Sequence, residues 1–127
     1  MLHTVPGPVV DEVLRLVYAA ADATVVARKP GVGKESGLVM DAARLGVPLI
    51  VSAHDRELSA RLTGQPWVRL FPAEDPDALA ETLDKLTAEA PARPGPRAPA
   101  ALDMYPAAEQ AAFLTDTYAR LHPTKER

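Results

Sequence analysis

Three short apolar runs alternate with segments of helical periodicity, and this alternation limits the fold more than any other feature of the chain. The runs are "ATVVA" at 23–27, "VPLIVS" at 47–52 and "WVRLF" at 67–71. ATVVA is too uniformly apolar to keep one face in water, which is typical of a parallel strand buried on both sides. We therefore predict an α/β fold, a partial Rossmann-like parallel sheet flanked by helices, with ATVVA as a central strand.

The segments between the runs predict the helices. Val10, Val13, Leu14 and Val17 recur at helical spacing and predict a helix that ends near Ala21. Further helices are predicted from Ser36 to a stop at Gly46, from Asp55 to Leu62, from Pro76 with a stripe of Leu79, Leu83 and Leu86, and from Pro106 to Leu121. A short strand is predicted at 2–5, and Tyr18, Trp67 and Tyr118 are expected in the core.

The proline-rich run "APARPGPRAPAA" divides the predicted organisation. Because so many prolines exclude a continuous helix, we interpret residues 90–101 as a semi-rigid linker. Residues 1–89 then form a Rossmann-like half-domain, and residues 102–127 form a C-terminal helix and tail held apart from the sheet.

Composition excludes several classes of function. The 127 residues carry a net charge of −3 without the basic patch of a nucleic-acid-binding protein, so nucleic acid is not an expected partner. No apolar run approaches the roughly 20 residues of a membrane helix. Cysteine is absent, which fits a reducing compartment, and we expect the cytoplasm. His3, His54 and His122 have no metal-binding spacing, and no catalytic constellation, metal site or cofactor is predicted.

The glycine-rich stretch "GVGKESGLVM" is the candidate binding segment. Ser36 is expected as the N-cap of the following helix, which would leave the N–H groups of Gly37 and Leu38 free to bind a phosphate. Lys34 would add positive charge. Two carboxylates flank this phosphate site, Glu35 just before the helix and Asp41 about a turn inside it, and both could accept hydrogen bonds from sugar hydroxyls.

Arg28 and Lys29 are secondary candidates, because they follow a predicted strand at the edge where ligands bind in open α/β sheets. A glycine-rich loop also serves turn geometry alone, and neighbouring charges are often only solvated. For the glycine-rich loop and for the two basic residues, ligand binding and a purely structural or solvated role both stay open at this point.

The run from Val9 to Ser52, followed by "WVRLFPAEDPDALAETLDKL", resembles the carboxyl half of retaining GT-B glycosyltransferases of the glycogen synthase and sucrose synthase kind. In that family a helix ending in "Y..AD" leads into an apolar strand. A loop with an acid and glycines, a "GLV…EA…G.PVV" segment and a "DP.ALA..L" helix follow. The likeness covers Val9 to Leu86.

This resemblance implies roles for individual residues. Counting back from Gly46, Asp41 falls on the family's second acid, which contacts the ribose, with aspartate in place of glutamate. The first acid, which contacts the donor sugar, falls on Gly33, and Glu35 is the nearby carboxylate. If Gly37 is aligned with the family's "GLV", Lys34 stands at the acid's position instead.

The function implied by the resemblance is donor binding in a glycosyltransferase that moves a sugar from a nucleoside diphosphate sugar to an unidentified acceptor. Proteins of this family are much longer, with an amino-terminal acceptor domain and a basic phosphate clamp. The expectation is therefore a fragment that is inactive alone and lacks its partner domain, to which the last helix would cross back. The alternative is a non-catalytic α/β module that binds a phosphorylated ligand or a partner protein.

Overall fold

A three-stranded parallel sheet forms the centre of the protein in the computed structural model, which describes Thr4, residues 6–31 and residues 36–122. The strands are β1 (Thr24–Val26), β2 (Leu49–Ser52) and β3 (Val68–Phe71), in the order β1-β2-β3. The α-helices are α1 (Asp11–Ala20), α2 (Gly37–Leu45), α3 (Arg56–Leu62), α4 (Pro76–Ala88) and α5 (Ala107–Leu121), with a 3₁₀ helix at Ala98–Leu102. The predicted partial Rossmann-like α/β fold is confirmed.

Strand β2 lies in the middle of the sheet and is buried along its whole length. Leu49 pairs with Thr24 of β1 and Val68 of β3, which fixes a parallel register on both sides. The connections β1–α2–β2 and β2–α3–β3 run in the same direction across the sheet, and crossovers of the usual hand then place α2 and α3 on the same face. The main core lies there: Val39, Ala42 and Ala43 of α2 and Leu58 and Leu62 of α3 join the cluster that contains Leu49 and Val51.

The prediction that ATVVA is a central, doubly buried strand was wrong. Within the described residues β1 is an edge strand, and Val25 is 44% exposed whereas Val26 is buried. Val26 faces the core while Val25, on the opposite face of the strand, remains partly in solvent, so a uniformly apolar run does not by itself indicate burial on both faces.

The helix boundaries follow the predicted signals closely. Helix α1 ends with Ala21 as its C-cap, and α2 begins after Ser36 and ends at Gly46, whose φ of 76° is the left-handed conformation that favours glycine. The predicted strand at 2–5 falls mostly outside the described residues, and its described residue, Thr4, belongs to no strand.

The proline-rich segment at 90–101, predicted as a semi-rigid linker, packs against the sheet and its helices. The Arg93 guanidinium donates to the carbonyls of Gly46 and Ala21, both at 3.2 Å. The 3₁₀ helix that follows contacts α2 and α3, and Ala98 and Leu102 belong to the core. Prolines prevent a long helix here, but they leave short apolar contacts available.

Helix α5 follows this segment and buries none of its side chains. The expectation that Tyr118 lies in the core was wrong, since its side chain is 65% exposed, whereas Tyr18 and Trp67 are buried as predicted. The side chains of Phe113, Leu114 and Leu121 on α5 are also more than half exposed.

Candidate functional site

The loops that follow β1 and β2 meet at the carboxyl edge of the sheet, where a buried hydroxyl joins them. Ser52 is the last residue of β2, and its Oγ accepts a hydrogen bond from the backbone N–H of Arg28 at 2.9 Å. The same hydroxyl donates to the Arg28 carbonyl oxygen at 3.1 Å. Both backbone groups of Arg28 are therefore fixed to the end of the neighbouring strand.

The Arg28 side chain reaches the start of helix α2. Its Nη2 donates to the Ser36 Oγ at 3.3 Å, which places a guanidinium group beside the N-cap residue of this helix. Ser36 is the N-cap as predicted, but its side chain makes no capping hydrogen bond. Helices α3 and α4 differ, because the carboxylates of Asp55 and Asp75 accept from the backbone N–H groups of Leu58 and Ala78 at 2.8 and 2.9 Å.

The first N–H groups of α2 lack such a cap within the described residues. Neither Gly37 N–H nor Leu38 N–H has an acceptor in the part of the chain that the structure describes. A Cβ built at Gly37 would meet no atom within 4 Å, so the space beside this residue is open. Free N–H groups and the positive end of the helix dipole together favour a bound anion.

A cavity of about 310 Å³ lies between the N-terminal parts of α2 and α3 and the 3₁₀ helix. Ser36 and Met40 line it from α2, Asp55 and Arg61 from α3, and Leu102 from the 3₁₀ helix. The acidic group of Asp55 is engaged as the α3 cap, and Glu57 pairs with Arg61 at 2.8 Å. The cavity is large enough for part of a small ligand rather than for a complete nucleoside diphosphate sugar.

Asp41 lies on another side of α2 and is not among the residues that line this cavity. Its carboxylate forms an ion pair with Arg44 at 2.9 Å. Asp41 also faces α1, where its negative charge acts on Tyr18. Burial raises the pKa of Tyr18 first of all, the charge of Asp41 raises it further, and a hydrogen bond with Thr24 lowers it.

The structure brings together four of the residues that the sequence singled out, Arg28, Ser36, Gly37 and Leu38, whereas Asp41 lies on another side of α2. Lys29 is exposed beside Arg28. Gly33, Lys34 and Glu35 lie outside the described residues, so their predicted roles and the register of the first family acid stay predictions.

Sequence reasoning missed two polar residues of this site, Ser52 and His54. The His54 Nδ1 lies 2.8 Å from the Ser52 carbonyl oxygen and 3.0 Å from the Ser52 Oγ. The stretch "SAHD" places two polar side chains where an apolar strand ends, directly before the Asp55 cap. That placement is typical of ligand-binding residues in open α/β sheets and could have identified both.

Comparison with protein families, with characterised proteins and with solved structures adds no relative. No family, protein or structure matches the chain. The described residues contain no group of three or more acidic or histidine side chains placed to hold a metal ion. Among the described helices, none has the length and apolar character needed to cross a bilayer.

Proposed function

We propose that this chain is the donor-binding part of a retaining glycosyltransferase of the GT-B kind, and that it binds a nucleoside diphosphate sugar at the carboxyl edge of its sheet. The observation that carries the proposal is the uncapped N-terminus of α2, where the Arg28 guanidinium lies against Ser36. The order of sequence motifs that resembles this family supports the choice of ligand.

The diphosphate is the part of the ligand that this position suits best. The Gly37 and Leu38 N–H groups donate to phosphate oxygens, and the missing side chain of Gly37 lets them approach closely. Arg28 supplies a formal positive charge and a planar pair of donors that matches phosphate geometry. Its backbone is already fixed by Ser52, so less conformational freedom is lost when the ligand binds.

During sugar transfer, negative charge develops on the departing diphosphate. The N–H groups are fixed by the helix and the guanidinium lies beside them, so together they stabilise this charge with little reorganisation and lower the barrier for cleavage of the glycosidic bond. In this proposal Asp41 contacts the ribose and Glu35 contacts the donor sugar, as the family resemblance implies. The ribose contact requires Asp41 to exchange its Arg44 partner for the ligand.

The acceptor side of the cleft would come from a separate, amino-terminal domain. Helix α5 exposes three apolar side chains, those of Phe113, Leu114 and Leu121. Their exposure supports contact with another protein surface. Val10, the N-cap of α1, and Leu16, within α1, are exposed to a similar degree. We propose the cytoplasm as the compartment, in keeping with the absence of cysteine.

The same exposed faces favour the second candidate, a non-catalytic α/β module that binds a phosphorylated ligand or a partner protein. The two candidates differ in what the site requires of its ligand. A donor site binds a nucleoside diphosphate more tightly than pyrophosphate, because the ribose and the base add contacts. A module that recognises phosphate alone binds both equally.

Calorimetric titration with UDP, ADP and GDP tests the proposal. We expect weak binding of at least one nucleotide, and Arg28→Gln should weaken it about tenfold to a hundredfold, as expected for a lost charged hydrogen bond. Arg15→Gln is the matched control, since Arg15 is an exposed arginine on α1. Binding that is equal in the wild type and in Arg28→Gln contradicts the proposal.

Two further measurements follow from the same proposal. Asp41→Ala should weaken nucleotide binding but leave pyrophosphate binding unchanged, and an unchanged nucleotide affinity would exclude the ribose contact. The chain alone should release no nucleoside diphosphate from nucleotide sugars above background, because one wall of a cleft cannot hold two reactants in register. Turnover proportional to the protein and lost in Glu35→Ala would show a complete catalyst.

A further inference from the structure

Helix α1 carries an exposed apolar stripe along its outer face. Three valines at helical spacing form the stripe and are between 42% and 62% exposed: Val10 at the N-cap, Val13 and Val17. Leu16 borders this α1 stripe on one side and is 69% exposed. On the other side, Leu14 and Tyr18 pack into the core. A continuous apolar surface of this kind is typical of a contact with another protein surface.

Helix α5 carries a second exposed stripe of the same length. Its members are between 55% and 69% exposed: Leu114, Tyr118 and Leu121. Phe113 borders this α5 stripe on one side and is also largely exposed. Because α5 buries none of its side chains, both the stripe and its border lack a partner within the described part of a single chain.

The two stripes match residue by residue when the helices run antiparallel. The intervals are three and then four residues in the α1 stripe, and four and then three residues in the α5 stripe. In an antiparallel pair these intervals coincide and give three opposed pairs: Val17 with Leu114, Val13 with Tyr118 and Val10 with Leu121. In a parallel pair the central residues are out of step, so the spacing favours the antiparallel orientation.

The residues that flank the stripes favour the same orientation. Antiparallel packing brings the Leu16 flank of α1 beside the Phe113 flank of α5, and these two apolar side chains then lie within one turn of each other. Glu12 follows on the α1 flank and Arg120 on the α5 flank, so opposite charges meet at one end of the contact. A parallel pair would instead bring together the acidic first turns, with Glu12 and Glu109.

A second copy of the chain supplies both surfaces at once. In a two-fold dimer, α5 of each copy lies on α1 of the other, so the contact forms twice and the assembly closes. The two contacts together bury on the order of 1,000 Å², near the lower limit of specific interfaces. Pairing of α5 with α5 forms a single contact of about half that area and leaves both α1 stripes in water.

We propose that the chain forms this two-fold dimer, with α5 of each copy packed antiparallel on α1 of the other. The inference goes beyond the proposed function and does not depend on it, because neither stripe contains a residue of the anion site. An interface of this size predicts a weak dimer, with a dissociation constant on the order of 100 µM. Unfolding measured at a few micromolar therefore follows the single chain.

Sedimentation velocity over a concentration series is the first test. From about 5 µM to about 1 mM the average mass should rise reversibly from one chain towards two. A mass that stays at one chain up to the highest concentration overturns the proposal. Growth beyond two chains overturns it as well, because the contact then does not close.

Matched variants test whether both stripes take part. Val17→Glu on α1 and Leu114→Glu on α5 each place a charge in the contact and should raise the dissociation constant at least about tenfold. Ala19→Glu and Ala112→Glu are the controls, since both alanines are exposed on the same helices but lie outside the stripes. The controls should leave the dissociation constant unchanged, and circular dichroism should show the same helix content in all four variants.

Exchange of the flanking charges tests the orientation. Glu12→Arg and Arg120→Glu should each weaken the dimer about two- to fivefold per contact, and the double variant should restore it. A double variant that is no stronger than either single variant contradicts the antiparallel register.

Two other results would assign α5 to a different site. If Leu114→Glu abolishes the dimer and Val17→Glu leaves it intact, α5 pairs with α5 and the proposal is wrong. If the chain stays single at every concentration while both variants lower its melting temperature, α5 docks on α1 of its own chain, which also contradicts the proposal.

Discussion

Replacing the N-cap residues of α2 and α3 should have unequal effects on the free energy of unfolding. The Asp55 carboxylate caps α3 by accepting from Leu58 N–H at 2.8 Å, so Asp55→Ala removes a true capping bond and should cost about 1–2 kcal/mol. Ser36 makes no capping bond, and its hydroxyl accepts from Arg28 at 3.3 Å. Because the Arg28 side chain is free to find other partners, Ser36→Ala should cost no more than about 0.5 kcal/mol.

Urea unfolding followed by the fluorescence of buried Trp67 measures both values. For a chain of this size, 1 kcal/mol corresponds to roughly 4 °C in melting temperature, so the two variants should be separable by heat as well. Asp75→Ala provides a matched control for α4, whose cap bond to Ala78 N–H is 2.9 Å long. An equal loss of stability in Ser36→Ala and Asp55→Ala would show that the Ser36 side chain caps α2. The first N–H groups of α2 would then not be free to bind a ligand.

Three further outcomes follow from the packing and the charges. Leu102→Ala should cost about 2–4 kcal/mol in a urea titration, because Leu102 is 6% exposed in the core, and a loss near zero would mean that the 3₁₀ helix is not part of that core. Removal of residues 106–127 should shift the melting temperature by no more than about 2 °C, because α5 buries no side chain, and a large fall would contradict its isolation. The Tyr18 pKa is raised on folding, so its neutral form stabilises the protein below the unfolded pKa. This contribution is lost as the pH rises through the folded pKa, and Tyr18→Phe should remove the corresponding alkaline loss of stability.

Periodicity and capping residues predicted most of the fold. The apolar run around Leu49 to Val51, the N-cap at Ser36, the helix starts near Asp55 and Pro76 and the stop at Gly46 are local features, so they can be predicted from neighbouring residues. Strand position within the sheet is not local. The sequence of β1 reads as central because it is apolar throughout, yet what covers Val25 depends on chain segments far away in the sequence.

The candidate site was predicted only in part for a related reason. The predicted N-cap at Ser36 identified the N–H groups of Gly37 and Leu38, since the geometry of a helix N-terminus is local. The contact between Arg28 and Ser36, eight residues apart, and the one between Ser52 and Arg28, 24 residues apart, depend on the pairing of β1 with β2. Likewise, proline content predicted a semi-rigid linker at 90–101, whereas the docking of Ala98 depends on α2 and α3, which are far from it in the sequence.

The binding of a nucleoside diphosphate at the start of α2 is the central claim, and amide chemical shifts test it most directly. Titration of the ¹⁵N-labelled chain with UDP, ADP and GDP should shift the amide resonances of Gly37 and Leu38 most strongly for at least one nucleotide, and these shifts should be lost in Arg28→Gln. Resonances that do not move with any nucleotide, or that move only far from α2 and the Arg28 loop, would contradict the account.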